Sequence, residues 1–596
     1  MANFYTDNED IQFILNNMNV AELADLMEGD YSDAKKFDFA PADAQEAVEN
    51  YKLVLKTLGE LCGDFVAPRS EAMDHEGNTL NDDGKVTRPK GMYEILDMLS
   101  KAEVMGMTLP HRFGGLNFPC LILSAANEMV SRGDASLMNI FGLQGIAETI
   151  NAFASEEIKQ QYLPDLATGK TTGAMVLTEP DAGSDLQACK VKAFQDDDGN
   201  WYLHGVKRFI TNGCGEVHLV MARSEADRAG GLGLSLFVCD MGPTVHIRRI
   251  EDKMGIHASP TCEIFYDNTP CLLIGERQRG LVTYVMALMN GARIGIAAQS
   301  LGIGEAAYRI ARNYASSREQ FGGPIEKLPA VRDLVIDMKI EVEESRALLY
   351  ETSRVVDFEI GYEKIVESKT LSSEKTKEIK QKLRMIKRYA SMLTPMSKYV
   401  ASEMSNSVAY DSIQVLGGSG FMRDYACERL YRDARITSIY EGTSQLQVVA
   451  AVRGVNNGTA TKYISELASF EYDANLKDLL DILAANTKTM DDCVEYVKDK
   501  GIDYMDLYGR KLVDIAVKTI IGYLFCQHAS GKIDMEVAVD DKGKKTSMKA
   551  RKAKIARRYI TRNNPNIKAW ADTIKAGCTS SFDSYNEIAG AVPDLS

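Results

Sequence analysis

The hydrophobic period of this chain changes twice, and those changes restrict the fold more than any other feature. From about residue 40 to 170, apolar residues recur at helical spacing: Val48, Tyr51, Val54 and Leu55, then the runs 92–104 and 135–162. Breaks such as Pro110-His111-Arg112-Phe113-Gly114-Gly115 separate these helices. At Thr171 the pattern turns to short apolar runs at 174–177, 201–204, 218–221 and 234–238, and Asp196-Asp197-Asp198-Gly199-Asn200 marks a turn before a strand. The helical period returns at Gly280, lasts to about Arg453, and resumes after Asn456-Asn457-Gly458. A parallel α/β sheet would need strand and helix to alternate throughout. Helices, then strands, then helices predict an α+β fold with a compact antiparallel β-domain.

This reading divides the chain into a helical leader (1–40), an N-terminal α-domain (41–170), a middle β-domain (171–279), a C-terminal α-bundle (280–455) and an additional helical domain (456–596). In the leader, Ile11, Ile14, Leu15 and Met18 follow a cap at Asp7 or Asn8, which predicts a short amphipathic packing arm. The Lys-, Glu- and Ser-rich stretch 363–387 reads as a solvated insertion between core helices. With 596 residues, 45% of them hydrophobic, the chain can bury a full core. The net charge of -15 argues against bulk affinity for nucleic acid or anionic membrane. The start is acidic and lacks the basic and apolar regions of a signal peptide. No apolar run approaches the ~20 residues that span a bilayer. The 11 cysteines are scattered, with no C-x-x-C pair and no metal-ligand spacing, so no metal site and a cytoplasmic location are expected.

Three stretches carry chemistry. Ile439-Tyr440-Glu441-Gly442-Thr443-Ser444-Gln445 offers one carboxylate at the seam between two helical segments, beside a glycine that admits close approach of a ligand. Covered by apolar groups, such a carboxylate can serve as a general base; uncovered, a Glu before a Gly is an ordinary surface residue. Ala174-Met175-Val176-Leu177-Thr178-Glu179-Pro180-Asp181-Ala182-Gly183-Ser184 is a strand entering a polar turn. Lys207-Arg208-Phe209-Ile210-Thr211-Asn212-Gly213 places an aromatic and a hydroxyl two residues apart. Together the last two could face a flat heteroaromatic ring; each alone is an ordinary strand end.

The three in this order resemble the acyl-CoA dehydrogenase family. Asp252-Lys253-Met254-Gly255-Ile256, Arg318-Glu319-Gln320-Phe321-Gly322 and Gln414-Val415-Leu416-Gly417-Gly418-Ser419-Gly420-Phe421 add to the resemblance, which covers roughly residues 45–455. The leader, the charged stretch and the long tail are similar to the larger bacterial branch that includes 3-methylthiopropanoyl-CoA dehydrogenases. The resemblance implies bound FAD. Met175, Leu177, Thr178, Gly183 and Ser184 fall on its flavin-contacting strand and turn, with Ser184 also near acyl-CoA. Phe209 stands where the family usually has Trp against the flavin, and Thr211 matches a hydroxyl near the ring. Arg318, Gln320 and Phe321 match a segment that reaches the FAD of a neighbouring subunit. Gln414, Gly418, Thr443 and Gln445 complete the cofactor contacts. Asn290, Arg293, Tyr440 and Gly442 join Ser184 on the substrate side, although Asn290 replaces the usual Asp. A family Gln after the Arg-Phe-Gly motif is replaced by Pro329.

The implied reaction is α,β-dehydrogenation of an acyl-CoA to a trans-2-enoyl-CoA, with Glu441 as base and electrons passed to an electron-transfer flavoprotein. Some relatives carry the base at the position of Ala292, which cannot serve. A homodimer or homotetramer is expected. An acyl-CoA oxidase shares the plan. A nucleic-acid-binding flavoprotein is the rival of another class, supported only by a basic tail: Lys542, Lys544, Lys545, Lys549, Arg551, Lys552, Lys554, Arg557, Arg558 and Arg562. With Met548, Ile555 and Tyr559 on one face, segment 542–562 also reads as an amphipathic helix that docks on a membrane or a partner. The acidic whole makes nucleic acid the poorest of these.

Overall fold

The computed structural model describes residues 2–368, 372–539 and 543–593. The chain divides into two compact units, one of Met1–Ala390 with Ser397–Ser444 and one of Ser391–Met396 with Gln445–Ser596.

The first unit begins with the expected arm. The Asn8 side chain accepts from the N–H groups of Asp10 and Ile11 and so caps the helix Glu9–Asn17, whose Ile11, Phe13, Ile14 and Leu15 are buried. The stretch 135–162, read as one helical region, is three helices: Ala135–Leu143, Ile146–Phe153 and Glu156–Ala167. Asp134 and Ser155 cap the first and third, so each polar residue starts a new helix rather than interrupting one. The helix Cys120–Gly133 starts against a carboxylate, with the N–H groups of Cys120 and Leu121 donating to Asp357 at 2.6 and 3.0 Å.

The middle sheet has seven strands, in the spatial order Gly173–Val176, Val217–Arg223, Lys192–Gln195, Trp201–Thr211, Thr261–Ile274 and Leu234–Asp240, with Val245–Ile250 beside Thr261–Ile274. Leu234–Asp240 also pairs with Val217–Arg223, which closes the sheet into a ring. Most pairs are antiparallel as expected. Gly173–Val176 and Lys192–Gln195 depart from this and run parallel to Val217–Arg223.

The long helices Met286–Ser317, Pro329–Ser368 and Ser373–Leu416 form the bundle, with Met286–Ser317 packed on Cys120–Gly133 and on Pro329–Ser368. The stretch 363–387 is not an insertion of separate structure: its described residues extend two of these helices, and Lys387 pairs with Glu363 at 2.5 Å. In the middle of the bundle Arg346 is fully buried. It donates to Glu128 at 2.6 and 3.0 Å and to Glu305 at 2.8 Å, and Tyr350 donates to Glu128 at 2.8 Å. Asp10 of the arm joins this knot at 3.7 Å from Arg346 and also accepts from Lys339 at 2.5 Å. Burial would lower the Arg346 pKa, but Glu128 and Glu305 outweigh it and hold the guanidinium charged.

The second unit is helical, with Lys477–Lys500, Ile502–Ala529 and Met548–Lys575 packed on one another and a hairpin of Glu536–Ala538 with Lys545–Ser547. Met548–Lys575 carries the basic segment from Lys549 on; Lys544 and Lys545 precede it, and Lys542 lies outside the described residues. Most of the helix's apolar face packs within the unit, with Ile555 half-buried. Met548, Tyr559, Ile560, Ile567 and Ile574 are buried, and Tyr559 meets Phe525 edge-on at 5.0 Å. Of its cations, Arg557 pairs with Asp478 at 2.5 Å and Lys549 with Asp473 at 3.5 Å. The bilayer expectation needs correction. Among the described residues, two helical segments, Gly280–Ser317 and Ile502–Ala529, are long and apolar enough by composition to cross a bilayer, and both pack against neighbouring helices in their units.

Arg346→Met strands Glu128 as a buried carboxylate without its cation and leaves Glu305 with Arg309 alone. It is expected to lower stability by about 3–5 kcal/mol, seen as a fall in the thermal midpoint. Replacing Glu128 and Glu305 by Leu and Met as well should recover most of that loss.

Candidate active site

The site residues fall into three groups. The first is a ledge at the sheet edge, and a buried ion pair builds it. Glu179 accepts from the N–H groups of Lys190 and Val191 at 2.6 and 3.0 Å and from Lys207 Nζ at 2.9 Å. Lys207 also donates to the Leu177 carbonyl at 2.7 Å, which ties the end of one strand to the next. Burial pushes the Glu179 pKa up, but Lys207 and the two backbone donors outweigh it and keep the carboxyl below its ordinary range. The N–H of Arg208 donates to the Thr178 carbonyl at 3.0 Å, so Phe209 stands beside Thr178. The register of Trp201–Thr211 slips between Lys207 and Ile210, and Phe209 takes φ +59° in this bulge. Its ring is therefore turned outward and is 52% exposed. Met175, Thr178 and Thr211 are half-buried around it, Leu177 is buried, and Gly183 and Ser184 are exposed. A Cβ at Gly183 would meet nothing closer than the Thr178 methyl at 4.0 Å, so the turn leaves room above the ledge.

The second group surrounds Glu441. The helix Cys427–Arg435 ends in a tight turn at Ile436–Ser438, and Glu441 and Gly442 follow with φ +53° and +88°. Only Gly takes this region freely; a glutamate held there stores of order 1 kcal/mol. The Glu441 carboxyl is pushed up to about 7 by burial, against the pull of Lys398 and Arg293. Lys398 is fully buried, and burial brings its pKa down to about 8 against the pull of Glu441. Arg293 donates to Asn290 at 3.1 Å, while its buried Nε has no protein acceptor. Tyr440 donates to Asn139 at 3.3 Å and also to Gln299, whose amide donates to Asn139 at 2.8 Å.

These two groups are joined through the loop before Thr261. Thr211 pairs with Thr261, Lys253 donates to Thr261 Oγ1 at 3.1 Å and to the Ser259 carbonyl at 2.5 Å, and Asn139 donates to Ser259 at 3.4 Å. The third group is peripheral. Arg318, Gln320 and Phe321 lie on a tight hairpin, Glu319–Gln320 with Gly323–Pro324, whose turn residue Phe321 is 92% exposed. Tyr314, one turn earlier, donates to Ser419 at 3.3 Å and so ties this hairpin to the turn of Gln414 and Gly418, both exposed. A Cβ at Gly418 would meet open space. Thr443 is half-buried beside Gly442, and Gln445 is exposed at the start of the next helix.

Family models cover most of the chain. The N-terminal, middle and C-terminal domains of acyl-CoA dehydrogenase match residues 49–170, 174–269 and 279–455, and the acyl-CoA dehydrogenase C terminal matches 456–536. The chain belongs to the acyl-CoA dehydrogenase family. It is 32% identical over 430 residues to the 3-methylmercaptopropionyl-CoA dehydrogenase of Ruegeria pomeroyi, covering 67% of this chain and 69% of that one. It also resembles the butyryl-CoA dehydrogenase of Megasphaera elsdenii, with 29% identity and TM-score 0.58 over 69% of this chain and 98% of that one. A structure reported for the electron transferring flavoprotein of Acidaminococcus fermentans is 31% identical, with TM-score 0.58 over 68% of this chain and 98% of that one.

Acyl-CoA dehydrogenases are FAD-dependent oxidoreductases of fatty acid metabolism that dehydrogenate acyl-CoA, and this chain shares that activity. The residues present fit the cofactor. An outward aromatic ring on the ledge, two turns with no side chain in the way at Gly183 and Gly418, and the exposed guanidinium of Arg318 match a flat ring joined to a pyrophosphate.

Sequence reasoning quoted Lys207 and Glu179 within motifs without seeing their pairing, and it passed over Asn139, Gln299 and Lys398. The available signal was a polar residue inside an apolar helical run, as Lys398 is between Met396 and Val400.

The raised Glu441 pKa has a stability consequence. Below the ordinary carboxyl value of 4.5 the group is protonated in both states and contributes nothing. Between 4.5 and about 7 the unfolded chain sheds the proton while the folded one keeps it, so folding becomes less favourable as pH rises. Glu441→Gln removes this penalty. Its thermal midpoint should match the wild type below pH 4.5, rise above it with increasing pH, and level off past about 7.

Proposed function

We propose that Glu441 is the base that removes the α-proton of a short-chain acyl-CoA. The observation that carries this reading is a carboxyl poised near neutrality, held in a left-handed turn and flanked by two cations. A base of such pKa combines an ionised fraction at neutral pH with enough proton affinity to work. The backbone N–H of Glu441 donates to the thioester carbonyl, and a donor placed in advance where negative charge develops lowers the barrier by several kcal/mol. Ala292 carries no base, which leaves Glu441 for the task.

FAD, when bound, supplies the two-electron acceptor that takes hydride from the β-carbon, so that a trans-2-enoyl-CoA is left. Met175, Leu177, Thr178, Phe209 and Thr211 hold its flat ring on the ledge, and Gly183 and Ser184 let its chain pass close to the backbone. Gln414, Gly418, Thr443 and Gln445 take its nucleotide end. Arg318, Gln320 and Phe321 reach the cofactor of a second copy, a reading supported by the exposure of Phe321, Phe421 and Met422. Arg293 and Asn290, with Ser184, Tyr440 and Gly442, line the substrate. The buried amides of Asn139 and Gln299 behind Tyr440 disfavour a long alkyl chain next to the base. The relatives named for butyryl-CoA and 3-methylmercaptopropionyl-CoA support a short acyl group. We assign electron-transfer flavoprotein as the electron acceptor, supported by the Acidaminococcus neighbour.

Anaerobic mixing with butyryl-CoA should bleach the yellow flavin, and octanoyl-CoA should do so at least about tenfold more slowly. Glu441→Gln should keep its flavin and bleach about 10²-fold or more slowly. Bleaching at the wild-type rate would remove Glu441 from the mechanism. Stoichiometric peroxide in air, with no reduction of an added electron-transfer flavoprotein, would make the protein an oxidase.

Arg318→Ala should lower both flavin content and oligomer size on gel filtration. A monomer with full flavin content would exclude a cofactor site shared between copies.

A further inference from the structure

The segment that carries Glu441 is latched along one face of the helix Ser373–Leu416. Asn406 donates to the Ala434 carbonyl at 3.0 Å and Ser402 to that of Thr437 at 2.9 Å. The hydroxyls of Ser405 and Thr437 lie 3.1 Å apart, and Ser444 donates to Glu403 at 2.6 Å. Residues 398, 402, 405 and 406 share a face at helical spacing, so the ladder follows from the period of the helix. Lys398 is its one cationic member. It has no exposed surface, and its Nζ donates to the Gly442 carbonyl at 2.8 Å.

That bond falls on the peptide between Gly442 and Thr443, directly after two residues that both hold positive φ. A glutamate in this conformation persists only where its surroundings over-determine it. Resting on the reading of Glu441 as the base, we propose that Lys398 is a positioning residue for the dehydrogenation: it clamps the Gly442 carbonyl to fix the direction of the Glu441 turn, and its charge keeps the Glu441 carboxylate ionised near neutral pH.

The charged and titratable groups around the pair are few. Glu441 faces Lys398 from the helix Ser373–Leu416 and Arg293 from the helix Met286–Ser317, with Tyr440 adjacent in sequence. Lys398 faces Glu441, Arg293 and Glu403, and Asp433 lies on the far side of Tyr440. Arg293 stays charged at every working pH. Lys398, brought down to about 8, is the cation whose charge is adjustable. A surviving lysine charge in so dry a place needs a strong acceptor and a nearby anion, and the Gly442 carbonyl and Glu441 supply them.

Two substitutions separate the two roles. Lys398→Gln keeps a hydrogen-bond donor and loses the charge; Lys398→Met loses both. Each is made on the flavin-loaded enzyme and read in two ways. One is the pH dependence of anaerobic bleaching by butyryl-CoA. The other is the infrared carboxyl signal lost between wild type and Glu441→Gln, followed against pH without substrate and repeated in each Lys398 background. Both substitutions should move the Glu441 titration, and with it the rising limb of the bleaching rate, upward by about one pH unit. Below the limb that is about a tenfold loss of rate. Lys398→Met alone should also lower the high-pH plateau, because only it releases the Gly442 carbonyl. Lower flavin content or thermal midpoint with an unmoved limb in both variants would reduce Lys398 to a packing residue and overturn the proposal. If Lys398→Met does not fold, the limb of Lys398→Gln decides the charge role. A Glu441→Gln enzyme that bleaches normally would instead defeat the base assignment itself, an outcome distinct from an unmoved limb beside an inactive Glu441→Gln.

Discussion

One buried guanidinium holds the first unit together. Arg346 meets Glu128 of the N-terminal helices and Glu305 of the bundle, while Asp10 of the leader arm lies 3.7 Å from it and pairs with Lys339. Taking a cation and several carboxylates out of water is unfavourable, and only close, multiply hydrogen-bonded geometry offsets it. The knot therefore specifies an arrangement more than it adds stability. Slide any of these helices by one turn and a charge is left without its partner. The helix Met286–Ser317, which supplies Glu305, also carries Arg293 and Gln299, so the register set at the knot is transmitted along a rigid rod to the site.

The site itself is built against the grain of stability. Glu441 combines a left-handed backbone with a half-buried carboxyl whose pKa burial raises against the pull of two neighbouring cations. Each of these is unfavourable for folding, and the hydrogen bonds along Ser373–Leu416 oppose them by holding residues 434–444 at several points.

The ledge follows the same logic with a different device. Lys207 and Glu179 form a buried pair whose acceptors include backbone groups, and that pair ends one strand and starts the neighbouring bulge. The bulge then rotates Phe209 outward, where a regular strand would have alternated it into a fixed face. In the second unit, by contrast, polar and charged groups mostly serve the bundle. The basic helix Met548–Lys575 buries most of its apolar stripe and even Lys552, so much of that stripe is a packing face.

Much of this protein is legible in its residues alone. The two changes of hydrophobic period mark where helices give way to a sheet and return, because burial on one face demands a period of 3.6 or 2 whatever the surroundings. The Glu441-Gly442 pair and the ledge motifs are local signals, and each lies in the kind of turn or strand end that its sequence indicates. What sequence could not supply is anything that depends on who meets whom across long separations. Lys398 and Gly442 are 44 residues apart, Arg346 and Glu128 are 218 apart, and Asn139 and Tyr440 are 301 apart. A lysine in an apolar helix reads as an oddity until the carbonyl it serves is in view. The pKa of Glu441 is likewise absent from the string of letters, since it is set by desolvation and by cations from two other helices. The basic stripe reads as free until most of its apolar face is found covered. Local periodicity determined the elements; only tertiary packing decided the charges, because electrostatics depends on distance in space and on the water that packing removes.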